Sequence, residues 1–214
     1  MRVINFIKRT TVNISIKSLG KRYNTEWIFR DLNLDFTWSK SYAITGANGS
    51  GKSTLLQVIS GIQPTSEGTI QYQINDHQID PEIIYKYLSI CTPYQELIEE
   101  FTLTEMVDFH IGFKSLSNNL TTETLIEKLQ LKSSANKEIR HFSSGMKQRV
   151  KLGLAVYSQT PILLLDEPTT NLDDKGIEWY KQLILEETKN RLLIICSNQL
   201  YEYNFCDEII RLNS

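Results

Sequence analysis

The chain has 214 residues, 41% of them hydrophobic and 22% charged, with 23 basic against 25 acidic groups and a formal charge of −2. That length suits one domain, or one domain with a small insertion, and can remove roughly 70% of the unfolded surface from water. The composition excludes disordered and fibrous classes. The charge argues against a nucleic-acid binder working through a general basic field, and no apolar run approaches the ~18 residues of a membrane-spanning helix.

Residues 1–9 carry a short apolar stretch cut by Asn5, too short for the core of a secretory signal. Any membrane crossing is therefore expected from another chain. Val12 to Ile16 alternates apolar and polar residues, as a half-buried strand does. A turn near Tyr23-Asn24 leads to a second alternating run, Trp27 to Phe36. Ser41 to Thr45 is a short strand entering a glycine-rich segment, and from Gly51 the apolar spacing becomes helical until Gly61 and Pro64 stop it. Glu67 to Ile74 and Leu88 to Cys91 are further strands. From Leu97 to Arg140, leucines, glutamates and polar residues recur at helical spacing, with turns at Asn118-Asn119 and Ser133-Ser134, so this stretch is read as a helical insertion.

Gly145 to Ala155 predicts a helix, Ile162 to Leu165 a buried strand, Ile177 to Leu185 a helix and Leu192 to Cys196 another buried strand. Continuous apolar strands alternating with helices indicate an α/β fold with a parallel sheet covered on both faces. Cys91, Cys196 and Cys206 show neither a disulfide framework nor metal-ligand spacing. Cys91 and Cys196, in apolar strand-like runs, read as small buried hydrophobes, and the sparse cysteine usage fits a reducing cytosol. His77, His110 and His141 likewise lack metal spacing and read as structural or surface residues.

Gly46-Ala47-Asn48-Gly49-Ser50-Gly51-Lys52-Ser53 matches the phosphate-binding pattern G-x-x-x-x-G-K-[ST] at every fixed position, between a strand and a helix. Gly46, Gly49 and Gly51 let the backbone turn and aim N–H groups inward. The helix N-terminus adds partial positive charge. Lys52 neutralises β- and γ-phosphates, Ser53 offers a hydroxyl to Mg²⁺, and Thr54 adds a phosphate contact. At the end of the apolar run Ile162 to Leu165 stand Asp166 and Glu167. A parallel strand ends at the ligand edge of its sheet, so Asp166 is expected to hold Mg²⁺ through water. Glu167 is expected to polarise the water that attacks the γ-phosphate.

Phe142-Ser143-Ser144-Gly145-Met146-Lys147-Gln148-Arg149 then precedes the acidic strand. It resembles the signature motif of the ATP-binding cassette (ABC) family, and the resemblance extends over nearly the whole chain. It implies a P-loop NTPase core with a parallel sheet and an antiparallel β-subdomain over 1–96 and 141–214, with the helical insertion at about 97–140. Ser143 and Gly145 would reach across a dimer interface to the γ-phosphate held by the other subunit, although Ser144 and Met146 depart from the usual Gly and Gln. Tyr23 would stack on adenine, together with the loop contacts of Asn48 and Ser50. Asp173, in Pro168 to Asp173, would contact the facing subunit or cap the next helix. Gln95, in Pro93-Tyr94-Gln95, is the candidate for the glutamine that senses Mg²⁺ and the attacking water, with Tyr94 as the competing position. Asn198 stands where the family has a histidine; an amide can donate to a γ-phosphate but carries no proton.

The resemblance thus implies an ATP- and Mg²⁺-dependent ATPase subunit. It would form a homodimer, or a heterodimer with a related subunit, on the cytoplasmic face of a membrane-spanning permease, with no nucleic-acid partner. Asn198 and the altered signature suggest the alternative, a weakly hydrolytic regulatory or soluble module.

Overall fold

In a computed structural model, residues 10–212 are described; the reading of residues 1–9 lies outside them. β1 (Val12–Tyr23) and β2 (Glu26–Thr37) form a long antiparallel pair with Ile14 opposite Phe36 and Tyr23 opposite Glu26. The turn falls at Asn24, whose positive φ of 54° Asn tolerates. β1 runs seven residues beyond the predicted Ile16 because register shifts follow Ile16. Bulges put consecutive residues out of phase, so two-residue alternation loses the strand there. β4 (Glu67–Ile74) adds to the other side of β1, and β5 (His77–Ile79), which has no alternating pattern of its own, pairs with β4.

The second sheet has the order β6-β7-β8-β3-β9. Its strands are β3 (Ser41–Thr45), β6 (Leu88–Cys91), β7 (Ile162–Asp166), β8 (Leu192–Cys196) and β9 (Glu208–Arg211). β7 with β8, β8 with β3, and β3 with β9 pair in parallel. Every residue of β7 and β8 is buried, which explains their unbroken apolar runs. β9 is mostly exposed and reads Glu-Ile-Ile-Arg, so it gave no buried-strand signal.

Contacts divide the chain into two units: residues to 90, 160–166 and from 189; and residues 91–159 with 167–188. The first unit's core joins Val12, Ile14, Ile16, Phe36 and Tyr72 of the antiparallel sheet to Ile44, Leu164 and Ile194 of the parallel one. Leu55, Leu56 and Ile59 of α1 (Lys52–Ile59) belong to the same cluster. The buried Tyr72 hydroxyl donates to Ile59 O at 2.9 Å, satisfying the only polar atom its ring brings inside.

The second unit is helical: α2 (Leu103–Ile111), α3 (Thr122–Lys128), α4 (Ser144–Val156) and α5 (Asp174–Glu187). Within 97–140, α2 and α3 alternate with short 3₁₀ turns. α2 opens on a capping box, in which Glu105 N donates to Thr102 Oγ1 (3.2 Å) and Thr102 N to Glu105 Oε2 (2.8 Å). α3 repeats the device with Thr121 and Thr124. On α5, the Trp179 indole donates to Lys128 O at 3.1 Å, and the Arg149 guanidinium of α4 lies 5.0 Å from its ring centroid.

Candidate functional site

The first unit builds a phosphate cradle. β3 delivers Gly46 at its carboxyl end, and α1 starts six residues later. Gly49 and Gly51 have φ of 85° and 91°, backbone that β-carbon-bearing residues avoid. A β-carbon on Gly46 would lie 2.5 Å from Leu212 O, and one on Gly51 2.5 Å from Ile28 Cγ2. The glycines are therefore needed by the packing beneath the loop as well as by its turn. The buried Lys52 ammonium donates to Gly46 O (2.8 Å) and Ala47 O (3.1 Å), so its charge sits inside the loop's curve. The Ser50 hydroxyl is buried without a hydrogen-bond partner among the described residues.

α1 has no side-chain N-cap and no acid in its first turn. Its leading N–H groups, those of Lys52, Ser53 and Thr54, thus face no competing carboxylate of their own helix. An uncapped positive helix end, a lysine and a glycine arch suit a polyphosphate. Ser53 and Asp166 supply hard oxygens of the kind Mg²⁺ takes alongside waters and substrate phosphates.

Asp166 ends β7 and is buried. It pairs in register with Cys196 of β8, which pairs with Ile44 of β3, so Asp166 shares the carboxyl edge of the sheet with the strand that feeds the loop. Asn198, two residues past β8, bonds the loop directly. Gly46 N donates to Asn198 Oδ1 (3.3 Å), and Asn198 Nδ2 donates to Asn48 Oδ1 (3.1 Å). Its neighbour Ser197 is fully buried, with the hydroxyl donating to the Glu202 carboxylate and accepting from Gln199 N at 2.8 Å. A cleft of about 470 Å³ opens beside the loop between Gly46, Ala47, Asn198, Tyr203 and Arg211. Tyr203 and Arg211 were absent from the sequence reading, because neither short element that carries them has a periodic signal. Tyr23 stands at the β1–β2 turn, half exposed, with the Lys21 ammonium 4.9 Å from its ring centroid.

The second unit carries the remaining candidates. Glu167 is exposed and has φ of 41°, unusual for a glutamate, in a turn closed by Thr170 N donating to Glu167 O at 3.1 Å. Such a conformation costs free energy and is typically kept where a side chain must be aimed. Asp173 caps α5, its carboxylate accepting from Gly176 N at 2.8 Å. Ser143 caps α4, its hydroxyl accepting from Met146 N at 3.2 Å. Gly145 lies against the turn after Glu167, where a β-carbon would come 3.0 Å from Asn171 O. Gln95 is exposed, with its N–H donating to Thr92 O at 3.3 Å, and Tyr94 beside it is 86% exposed. The buried Gln148, not singled out in the sequence, donates from Nε2 to Pro168 O at 2.7 Å and so links α4 to the residue after Glu167.

Residues 29–170 match the family model described as ABC transporter. The chain belongs to the ABC transporter family. Among its relatives, the lipoprotein-releasing system ATP-binding protein LolD of Leptospira interrogans is 31% identical over 193 residues, 85% of this chain and 81% of LolD. The phospholipid-transporting ATPase ABCA7 of Homo sapiens is 30% identical over 194 residues, 88% of this chain, which spans only 9% of that protein's length. The cassette also superimposes on the ATP-binding cassette MJ0796, solved as a dimer in a post-hydrolysis state bound to ADP and Pi. The TM-score is 0.77, at 25% identity over 94% of each chain. The α/β architecture with a parallel sheet, an antiparallel β-subdomain and helices is accordingly that of an ABC cassette with a P-loop NTPase fold. No helix among the described residues is long and apolar enough to cross a membrane.

Proposed function

We propose that this cassette is the ATP-hydrolysing subunit of an ABC transporter, working as a dimer that clamps two ATP-Mg²⁺ and drives a separate membrane-spanning partner from the cytoplasmic face. The observation that carries the reading is the phosphate cradle: a glycine arch with Lys52 inside it, opening onto a helix end free of caps and acids. The dimeric MJ0796 cassette and the similarity to LolD support the assembly.

In this reading Tyr23 stacks on adenine; Gly46 to Thr54 wrap the phosphates; and Ser53, Asp166 and Gln95 serve Mg²⁺. A Mg²⁺ ion held there would supply positive charge against the phosphate oxygens. Lys52 holds the γ-phosphate oxygens, and Glu167 orients the attacking water and accepts its proton. Ser143 and Gly145 of a facing copy present a helix N-terminus to the same phosphate, with Asp173 at that interface.

A thermal-shift titration tests the cradle. ATP-Mg²⁺ at ~100 times its dissociation constant should stabilise the native chain by about 2.7 kcal/mol. Lys52→Ala should lose most of that gain, and equal stabilisation of the two proteins would overturn the assignment.

A further inference from the structure

α4 presents three polar side chains on one side, at positions 147, 148 and 151, and all three reach the loop that carries Gln95 or the turn that follows Glu167. Lys151 is buried, and its ammonium donates to Pro93 O (3.0 Å) and Thr92 O (3.4 Å). Thr92 O is also the acceptor for the Gln95 N–H, so one carbonyl joins the lysine to the glutamine's own turn. On the far side of Gln95, Lys147 pairs with Glu99 at 2.5 Å. Gln148 lies between the two lysines, with its amide on Pro168 O and 3.9 Å from Cys91 Sγ. The loop is therefore held to α4 both before and after Gln95.

We propose that Lys151 is a positioning residue for Gln95: it fastens the Thr92–Pro93 carbonyls to α4, so that the Gln95 turn moves with the helix that Ser143 opens. A buried ammonium is an expensive fastener. An apolar side chain of similar volume fills such a place at lower desolvation cost, and burial holds this ammonium below the ordinary lysine value. What the amine adds over a methyl group is its N–H donors, which the Thr92 and Pro93 carbonyls accept. Through them, a ligand that draws the amino end of α4 toward it also sets the glutamine. The inference rests on the proposed reading that Gln95 serves Mg²⁺ and water during ATP hydrolysis.

The test uses Lys151→Met, Gln95→Ala and the double variant of the full chain. Lys151→Gln, with a shorter neutral side chain, is the second variant should methionine disturb folding. Amide hydrogen exchange over residues 92–99 should rise roughly tenfold in Lys151→Met while the helices keep their protection. Thermal stability should change little, because relief of the buried charge offsets the loss of its two hydrogen bonds to carbonyls. Phosphate release at saturating ATP-Mg²⁺ should fall roughly ten- to a hundredfold, with ATP affinity in EDTA unchanged. Adding Lys151→Met to Gln95→Ala should cost nothing further.

Unchanged exchange over 92–99, or losses that multiply in the double variant, would overturn the proposal, since independent sites add in free energy. A lysine that merely supported the fold would lower stability and turnover together. A native chain without phosphate release overturns the hydrolytic reading, and with it this role in catalysis; the exchange measurement still decides the fastening by itself.

Discussion

Asn198 accepts from Gly46 N and donates to Asn48, holding the phosphate loop with both ends of its amide. An imidazole has one donor and one acceptor when neutral and can also share a proton, which an amide cannot. A missing transition-state contact typically costs ~10²–10³ in rate. Native hydrolysis should therefore be slow, and Asn198→His should raise steady-state phosphate release by about tenfold or more, with ATP affinity little changed. Unchanged or lower turnover would make Asn198 a loop fastener whose two hydrogen bonds the variant has lost. The lysines in this chain show how much context decides. Lys52, Lys21 and Lys151 are all buried and all donate to backbone carbonyls, yet only Lys52 sits in a recognisable motif.

Among the elements, α2 is pinned to the end of α4 by a neutral histidine. His110 Nε2 lies 2.8 Å from Ser158 Oγ, and Ser158 Oγ donates to Leu154 O at 2.5 Å. The serine proton is thus committed, so His110 is the donor and carries its hydrogen on Nε2. Burial, reinforced by the nearby Lys114 charge, pushes its pKa from 6.5 down to about 4. The unfolded chain therefore binds a proton that the folded chain refuses. Stability is full above about pH 6.5 and declines as pH falls toward 4, by about 3 kcal/mol in all. His110→Gln keeps a donor for Ser158 and removes the titration. Urea unfolding at pH 7 and pH 4 should show the variant losing about 3 kcal/mol less than the native chain between the two. Equal losses would mean that His110 takes up its proton while folded.

For the whole molecule, the proposed cycle requires two copies to close over ATP. Glu167→Gln preserves size and hydrogen bonding but accepts no proton, so ATP should bind and remain uncleaved. Size-exclusion chromatography in ATP-Mg²⁺ should then show a dimer of Glu167→Gln and a predominantly monomeric native chain. A monomeric variant at saturating ATP would argue that closure needs a dissimilar partner.

Short-range chemistry made much of this protein legible in its sequence. The glycine arch, Lys52, the strand ending in Asp166-Glu167 and the run from Ser143 to Arg149 are contiguous motifs, whose function depends on neighbours a few residues away. β2, α4 and α5 were equally readable from their apolar periodicity, and β7 and β8 from their unbroken apolar runs. Only the tertiary structure could decide the rest. β1 beyond Ile16 is broken by bulges, β5 and β9 depend on pairing with strands that were already in place, and α6 (Leu200–Tyr203) is a single turn. Asn198 on the phosphate loop and Lys151 on the Thr92 and Pro93 carbonyls join residues 150 and 58 to 59 positions apart. No local pattern encodes such pairs, since hydrogen-bond partners distant in sequence exist only once the sheet and the helices have packed.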